Sequence, residues 1–104
     1  MAAAARSGGS DTVFSLTGAG RGCGSPIRTV TGVATSTVFV NGVQIVVQGD
    51  RVGSHPAGGC GPDLSQLSTF STTVFVGGKG IGRIGDQYTA DNTITSGSSN
   101  VFVG

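Results

Sequence analysis

The apolar residues of this chain fall in short blocks separated by Gly, Ser and Thr, and one block occurs three times. Val-Phe-Val stands at Val38–Val40, Val74–Val76 and Val101–Val103. Side chains alternate between the two faces of a strand, so each phenylalanine is predicted to point opposite to its flanking valines. A Gly-Asp pair closes the first two copies twelve residues after the first valine, at Asp50 and Asp86. Such self-similarity indicates one supersecondary unit that is used several times.

Each complete copy is predicted to be a β-hairpin. Asn41-Gly42 and Gly77-Gly78 follow the first strands, and such pairs suit type I′ turns, in which both central residues have positive φ. A second strand follows, and it ends at a Gly-Asp bend in which the aspartate is expected to bond amides downstream of it. One hairpin of this size cannot bury its apolar face alone, so the units are expected to pack together.

The third unit is predicted to be split between the two ends of the chain. Residues 1–11 match the second half of a unit, with Arg6 in the place of Arg83, and residues 100–104 match the first half. Three similar units would then close around a pseudo-threefold axis. We expect a single all-β domain over residues 1–104, with at most one helical turn at 63–67.

The three phenylalanines of the repeat have two possible roles. They either fill the core of the ring or anchor an interface at its base, and the hydrophobic effect favours the core. The sequence therefore predicts Phe39, Phe75 and Phe102 in the core.

Composition supports a β protein and excludes several functions. Gly occupies 20 of 104 positions, Glu and Trp are absent, and Val, Thr, Phe and Ile recur in blocks, which favours pleated strands over helices. The net charge is +1 without a basic cluster, so no nucleic-acid partner is expected. The sequence has neither an apolar run long enough to span a bilayer nor the apolar core of a secretory signal. Synthesis in a cytoplasm is expected, where cysteines are more often free or metal-bound than paired.

The order of these motifs resembles that of the PAAR-repeat proteins, whose units have the form V-F-V-N-G-x-P-A-A-R-x-G-D. The chain shows VFVNG, VFVGG, a last VFVG, two Gly-Asp pairs, RGCGSP and SHPAGGCGP. The Pro-Ala-Ala-Arg segment itself is altered, and reads AAAR at 3–6, QIVV at 44–47 and GIGR at 80–83.

The resemblance implies a small cone-shaped fold of three hairpin repeats that caps a trimeric β-helical spike. Such a cap is the piercing tip of a contractile injection machine, for example a phage tail, a type VI secretion system or an extracellular injection system. It implies one monomeric copy per spike trimer, no effector extension, no enzyme activity, and only transient contact with the target envelope. The implied spike-docking base consists of the repeat residues Val38, Phe39, Val40, Val74, Phe75, Val76, Val101, Phe102 and Val103.

The resemblance also implies a metal site at the apex of the cone. Cys23, His55 and Cys60 are the only soft ligands in the sequence, and they lie in the loops between units, where family members often hold zinc or iron. Three ligands leave one tetrahedral position open, which Asp63, Asp91 or water would fill or which would stay empty. The alternative is that both cysteines are buried small side chains or form a disulfide.

Two other functions are alternatives to that of a spike tip. One is a metal-stabilised β binding module that recognises a host surface molecule. The other is an enzyme that uses Asp50 with Asp86, or Ser54 and His55 with Asp63. The enzyme is disfavoured because the chain has no nucleophile-elbow pattern and because so small a core is expected to lack a substrate pocket of ~300 Å³.

Overall fold

β-branched and aromatic residues in short runs between glycines produce strands of only two to four residues. The computed structural model describes residues 2–15, 27–53, 65–89 and 92–104. Within those ranges the fold is all-β, as predicted. Its strands are β1 (Ala2–Ala3), β2 (Thr12–Ser15), β3 (Ile27–Val30), β4 (Phe39–Val40), β5 (Val43–Gln44), β6 (Phe75–Val76), β7 (Lys79–Gly80), β8 (Gln87–Tyr88), β9 (Asn92–Ile94) and β10 (Phe102–Val103).

The three copies of Val-Phe-Val pair in the same way, which confirms the predicted equivalence of the segments. β4 pairs with β5 and β6 with β7, so that Phe39 lies opposite Gln44 and Phe75 opposite Gly80. β10 pairs with β1 from the other end of the chain, which places Phe102 opposite Ala3. We call the three units A (β10–β1), B (β4–β5) and C (β6–β7). Each unit also includes the segment that leads into its Val-Phe-Val and the bend that follows its second strand.

Both hairpin turns have the predicted backbone geometry. Asn41 and Gly42 have φ values of 54° and 78°, and Gly77 and Gly78 have 58° and 81°. Two consecutive positive φ values define a type I′ turn, which matches the twist of the flanking strands. The hairpins are shorter than predicted, however, because each second strand leaves its partner after two residues.

Beyond the hairpins, the three units close into a ring of backbone hydrogen bonds. The amide of Ala5 donates to the carbonyl of Gly82, Gly82 donates to Val46, and Val46 donates back to Ala5, at 2.9, 2.8 and 3.1 Å. A second cycle surrounds the first, in which the amides of residues 7, 48 and 84 donate to the carbonyls of residues 44, 80 and 3. Each unit therefore hydrogen-bonds to both of the others.

The segments between the units are predicted from the sequence to be loops, but they form three arms, of which two contain described strands. Arm 1 is 12–31, arm 2 is 51–67 and arm 3 is 87–94. The outgoing and returning halves of arms 1 and 3 are antiparallel strands, and together they form a sheet in the order β3-β2-β9-β8. Arm 2 joins its neighbours through the single bridges Thr31–Val52 and Leu67–Tyr88, so the arms also close into a ring.

The described part of the predicted helical turn is extended. Gln66 forms an antiparallel bridge with Arg51 within arm 2, and Leu67 forms one with Tyr88 of arm 3, so this segment is held by pairing on both sides. Leu67 is buried at 2% exposure, as expected. Among the residues whose structure is described, no helix of a length and apolarity suited to crossing a membrane occurs.

The core has two layers. The layer beneath the arms contains Ala5, Val13, Val46, Val52, Leu67, Tyr88 and Ile94. The layer between the hairpins contains Ala4, Val40, Ile45, Val47, Ile81 and Val103. The valines of the repeat supply part of this second layer, since Val74, Val76 and Val101 also pack against it.

The prediction that the phenylalanines of the repeat lie in the core is wrong. Phe39, Phe75 and Phe102 are 61%, 54% and 50% exposed. The strands alternate as predicted, but the valine face is the one that points inward. Three units converge on a narrow axis lined by alanine, valine and isoleucine, and side chains of that size interdigitate where three phenylalanine rings would overpack.

Candidate functional site

Exposed phenylalanines mark one candidate site, which we call the aromatic face (Phe39, Phe75 and Phe102). Each ring sits at the same register position of its two-stranded sheet, one residue before the strand ends. Repetition of an exposed large apolar residue in every unit distinguishes this face from the scattered apolar residues of an ordinary surface. The neighbouring valines differ in exposure: Val38 is 43% exposed, while Val40 and Val103 are buried.

The strands that carry the aromatic face have free outer edges in the described sheets. The strands β4, β6 and β10 each belong to a two-stranded sheet. Each of them therefore pairs with one other described strand along one edge, and its second edge pairs with none of the described strands. An unpaired edge is a template for strand addition by another chain.

A bend follows the second strand of each unit, and one aspartate side chain stabilises each of the three bends. Asp11, Asp50 and Asp86 are 0%, 3% and 5% exposed. In each case one carboxylate oxygen, Oδ2, accepts from an upstream amide in the same unit, that of Arg6, Val47 or Arg83, at 2.6, 2.9 and 2.8 Å. The aspartates therefore bond upstream amides, and the prediction of downstream amides is wrong. Asp11 is the equivalent aspartate of unit A, and it lies two positions further along the chain than the repeat spacing predicts because the bend of unit A has two additional residues.

The second oxygen of each aspartate binds a hydroxyl from the segment that precedes Val-Phe-Val. Asp50 accepts from Thr35 Oγ1 at 2.7 Å, Asp86 from Thr69 Oγ1 at 3.2 Å, and Asp11 from Ser96 Oγ at 3.0 Å. Each carboxylate therefore links the bend to the segment that precedes Val-Phe-Val in the same unit. This structural role accounts for the aspartate of each Gly-Asp pair.

Arginine supports two of the three aspartates. Arg83 donates through Nε and Nη2 to the two oxygens of Asp86 at 2.9 and 3.0 Å, and Arg6 binds Asp11 at 3.1 and 2.9 Å. The side-chain hydrogen bond to the aspartate raises the pKa of each arginine against an opposing desolvation effect, so both guanidinium groups stay charged at any ordinary pH. Unit B has Val47 at this position, and Asp50 forms no ion pair with a described residue.

The sequence-predicted metal ligands Cys23, His55 and Cys60 lie outside the described residues, as do Asp63 and Asp91. The described residues that flank these segments can be located. Ser15 is the last described residue in the first half of arm 1, and Ile27 is the first described residue in its second half. Ser15 pairs with Ile27 and also with Asn92 of arm 3.

Arm 2 meets the same place. Asn92 Nδ2 donates to Ser65 Oγ at 3.1 Å, where arm 2 returns. Gly53, the last described residue of its outgoing half, accepts from Thr29 Oγ1 at 3.4 Å. The bases of the three arms therefore converge, so the segments that carry the predicted ligands begin and end near one another.

A groove in the structure contradicts the expectation that so small a core lacks a substrate-sized pocket. The groove has a volume of about 820 Å³ and lies between the bend of unit A, the bend of unit B and the return of arm 1. Its described lining is rich in glycine and includes Val33, Asp50 and Arg51. Both oxygens of Asp50 are occupied by hydrogen bonds, and the described lining contains no Ser, Cys or His nucleophile.

Comparisons with known proteins add no relative: no family model, no curated protein and no solved structure matches the chain.

Proposed function

We propose that this protein is a structural cap with a cone-shaped, PAAR-like fold, which docks through its aromatic face onto a threefold-symmetric partner. The observation that carries the proposal is the exposure of Phe39, Phe75 and Phe102 at equivalent positions of three mutually bonded units. A single chain with three similar units matches the end of a homotrimer without needing three copies of itself.

The size of the aromatic face supports an interface. A phenylalanine offers ~150–250 Å², so three rings at these exposures leave roughly 300 Å² of aromatic surface in contact with water. Tyr, Trp and Phe are enriched in interfaces relative to the rest of the protein surface. The free edges of β4, β6 and β10 offer backbone groups beside the rings.

The partner that this geometry fits is the blunt end of a trimeric β-helical spike. Such an end presents three equivalent strand termini, which match three aromatic anchors and three strand edges. The extents of the molecule, 36 × 23 × 21 Å, suit a tip that stands along a spike axis, since the two shorter dimensions are nearly equal. The function is mechanical rather than catalytic: the cap sharpens the spike of a contractile injection machine. It would be made in the bacterial cytoplasm and carried in the assembled particle.

The arms supply the apex of this cap. Because their bases converge, Cys23, His55 and Cys60 can reach a common point, and a zinc or iron ion there would tie two arms together. Structural metal sites of this kind contribute folding energy directly. The alternative function, recognition of a host surface molecule, would place the contact at this apex and leave the aromatic face without a role.

The test is co-expression with a trimeric β-helical spike protein from the same organism, followed by purification and light scattering. One copy per trimer is expected. Simultaneous replacement of Phe39, Phe75 and Phe102 by Ser should weaken binding ~10⁴-fold, because three buried aromatic anchors at ~2 kcal/mol each contribute ~6 kcal/mol.

The matched control is Val33→Ser, which also removes an exposed apolar side chain. Val33 is 81% exposed and lines the groove, to which none of the three phenylalanines contributes, so its replacement should leave binding unchanged. Three copies per trimer, or a triple variant that binds as well as the unchanged chain, would contradict the proposal.

A further inference from the structure

The residue after each Val-Phe-Val meets the neighbouring unit, and at two of the three positions an oxygen of that residue accepts from a serine. Asn41 Oδ1 accepts from Ser98 Oγ at 2.6 Å. The carbonyl oxygen of Gly104 accepts from Ser71 Oγ at 2.5 Å and from Arg83 Nη1 at 3.0 Å. Unit B thus meets unit A, and unit A meets unit C, through the same kind of contact.

The third position, where unit C meets unit B, holds a cavity instead. The residue after Val-Phe-Val is here Gly77, which has no side chain to offer. A cavity of about 240 Å³ lies at this point, lined by 35–37 and Val47 from unit B and by Val76, Gly77 and Lys79 from unit C. The cyclic arrangement indicates that an acceptor oxygen belongs in this cavity.

The polar groups that line the cavity favour a negatively charged acceptor. Lys79 is the only lysine of the chain, and neither its ammonium group nor the hydroxyl of Thr37 has a bonding partner among the described residues. Ser36 does not compete for the site, because its hydroxyl is directed inward to the carbonyl of Ile45 at 2.8 Å. An ammonium group has three donors and no acceptor, and a charge-assisted hydrogen bond is stronger than a neutral one.

We propose that this cavity is a carboxylate-binding site, and that in the docked cap it receives an acidic side chain from one of the three partner subunits. The source of the carboxylate rests on the proposed function, whereas the site itself does not. Asn41 and Gly104 already fill the two equivalent positions, so only one subunit of a symmetric trimer could place its carboxylate. Because the trimer is symmetric, the cap has three equivalent orientations, and in each of them a different subunit would supply the carboxylate.

The isolated full chain tests the site with sodium acetate as the probe, at constant ionic strength adjusted with sodium chloride. Backbone amide NMR signals of Thr37, Gly77 and Lys79 should shift saturably, and acetamide, which has the same shape without the charge, should not shift them. Lys79→Gln should weaken acetate binding about two- to fivefold, the range that a solvent-exposed ion pair provides.

Gly77→Asn is the sharper variant, because it should fill the cavity from within as Asn41 does in unit B. Gly77 has φ of 58°, close to the 54° of Asn41, and a Cβ at Gly77 would meet nothing within 4 Å, so the fold should accept the change. The expected result is loss of the acetate-induced shifts together with an unchanged or higher melting temperature.

Three outcomes would overturn the carboxylate site: no saturable shift with acetate, equal shifts with acetamide, or acetate binding that survives Gly77→Asn. A chain that binds acetate as expected but fails to join a spike trimer would refute the docking function and the assigned source, and would leave the site established. The acetate titration therefore tests the site, and binding to the spike trimer tests the proposed function, so either can fail without the other.

Discussion

Replacement of the three bend aspartates by asparagine, one at a time, measures how much the arginine pairs contribute to stability. Asp86→Asn turns a carboxylate that accepts four hydrogen bonds, from Arg83 and Thr69, into an amide whose NH₂ group must face a donor. Asp50→Asn makes the same chemical change where the carboxylate accepts only from the amide of Val47 and from Thr35.

The two costs follow from these bonds. Each substitution disrupts about one buried hydrogen bond to a backbone or hydroxyl donor, which contributes ~1 kcal/mol. Asp86→Asn also removes the charge of a bidentate pair whose arginine side chain is 26% exposed, and an exposed pair adds at most ~1 kcal/mol. We therefore expect Asp86→Asn to lower the free energy of unfolding by ~2 kcal/mol and Asp50→Asn by ~1 kcal/mol. Asp11→Asn should behave like Asp86→Asn.

Guanidinium chloride unfolding, followed by circular dichroism and by the fluorescence of Tyr88, would measure these differences. Tyr88 is the only tyrosine and is 1% exposed, so its emission reports the core beneath the arms. Metal content and reductant must be equal in all samples. Equal costs for Asp50→Asn and Asp86→Asn would refute the assignment of part of the stability to the arginine pairs.

Two further predictions concern the axis and the apex. Gly82→Val should lower the free energy of unfolding by ~1–3 kcal/mol through overpacking. The reason is that a Cβ at Gly82 would lie 2.9 Å from the side chain of Leu67 and 3.3 Å from that of Val46. A melting temperature equal to that of the unchanged chain would contradict this packing of the ring. If the apex holds metal, elemental analysis should give about one ion per chain, and chelation or His55→Ala should lower the melting temperature. A metal-free protein with a disulfide between its two cysteines would contradict the metal site.

The sequence by itself determined the repeat and the turns. Asn41-Gly42 and Gly77-Gly78 specify type I′ turns because few other residue pairs adopt two positive φ values in succession. The constant spacing from Val-Phe-Val to Gly-Asp predicted equivalent units, and Arg6 identified the half unit at the start of the chain. These features are local, and local chemistry is what a sequence pattern expresses directly.

Signals for the arms were also present in the sequence. Thr12–Ser15 and Ile27–Val30 are rich in β-branched residues, as strands are, and they form half of the four-stranded sheet. Their partners are distant in sequence, however, and no spacing along the chain reveals that β2 lies between β3 and β9.

Only the tertiary structure decided which face of each repeat is buried. Alternation separates Phe39 from Val38 and Val40 but does not tell which side faces the axis, and hydrophobicity alone favours the larger ring. The space left where three units meet accepts alanine, valine and isoleucine, so the phenylalanines are left on the surface. The open position at Gly77 likewise exists only because three units close into a ring whose other two contacts are filled, a relation among distant residues that no local pattern contains.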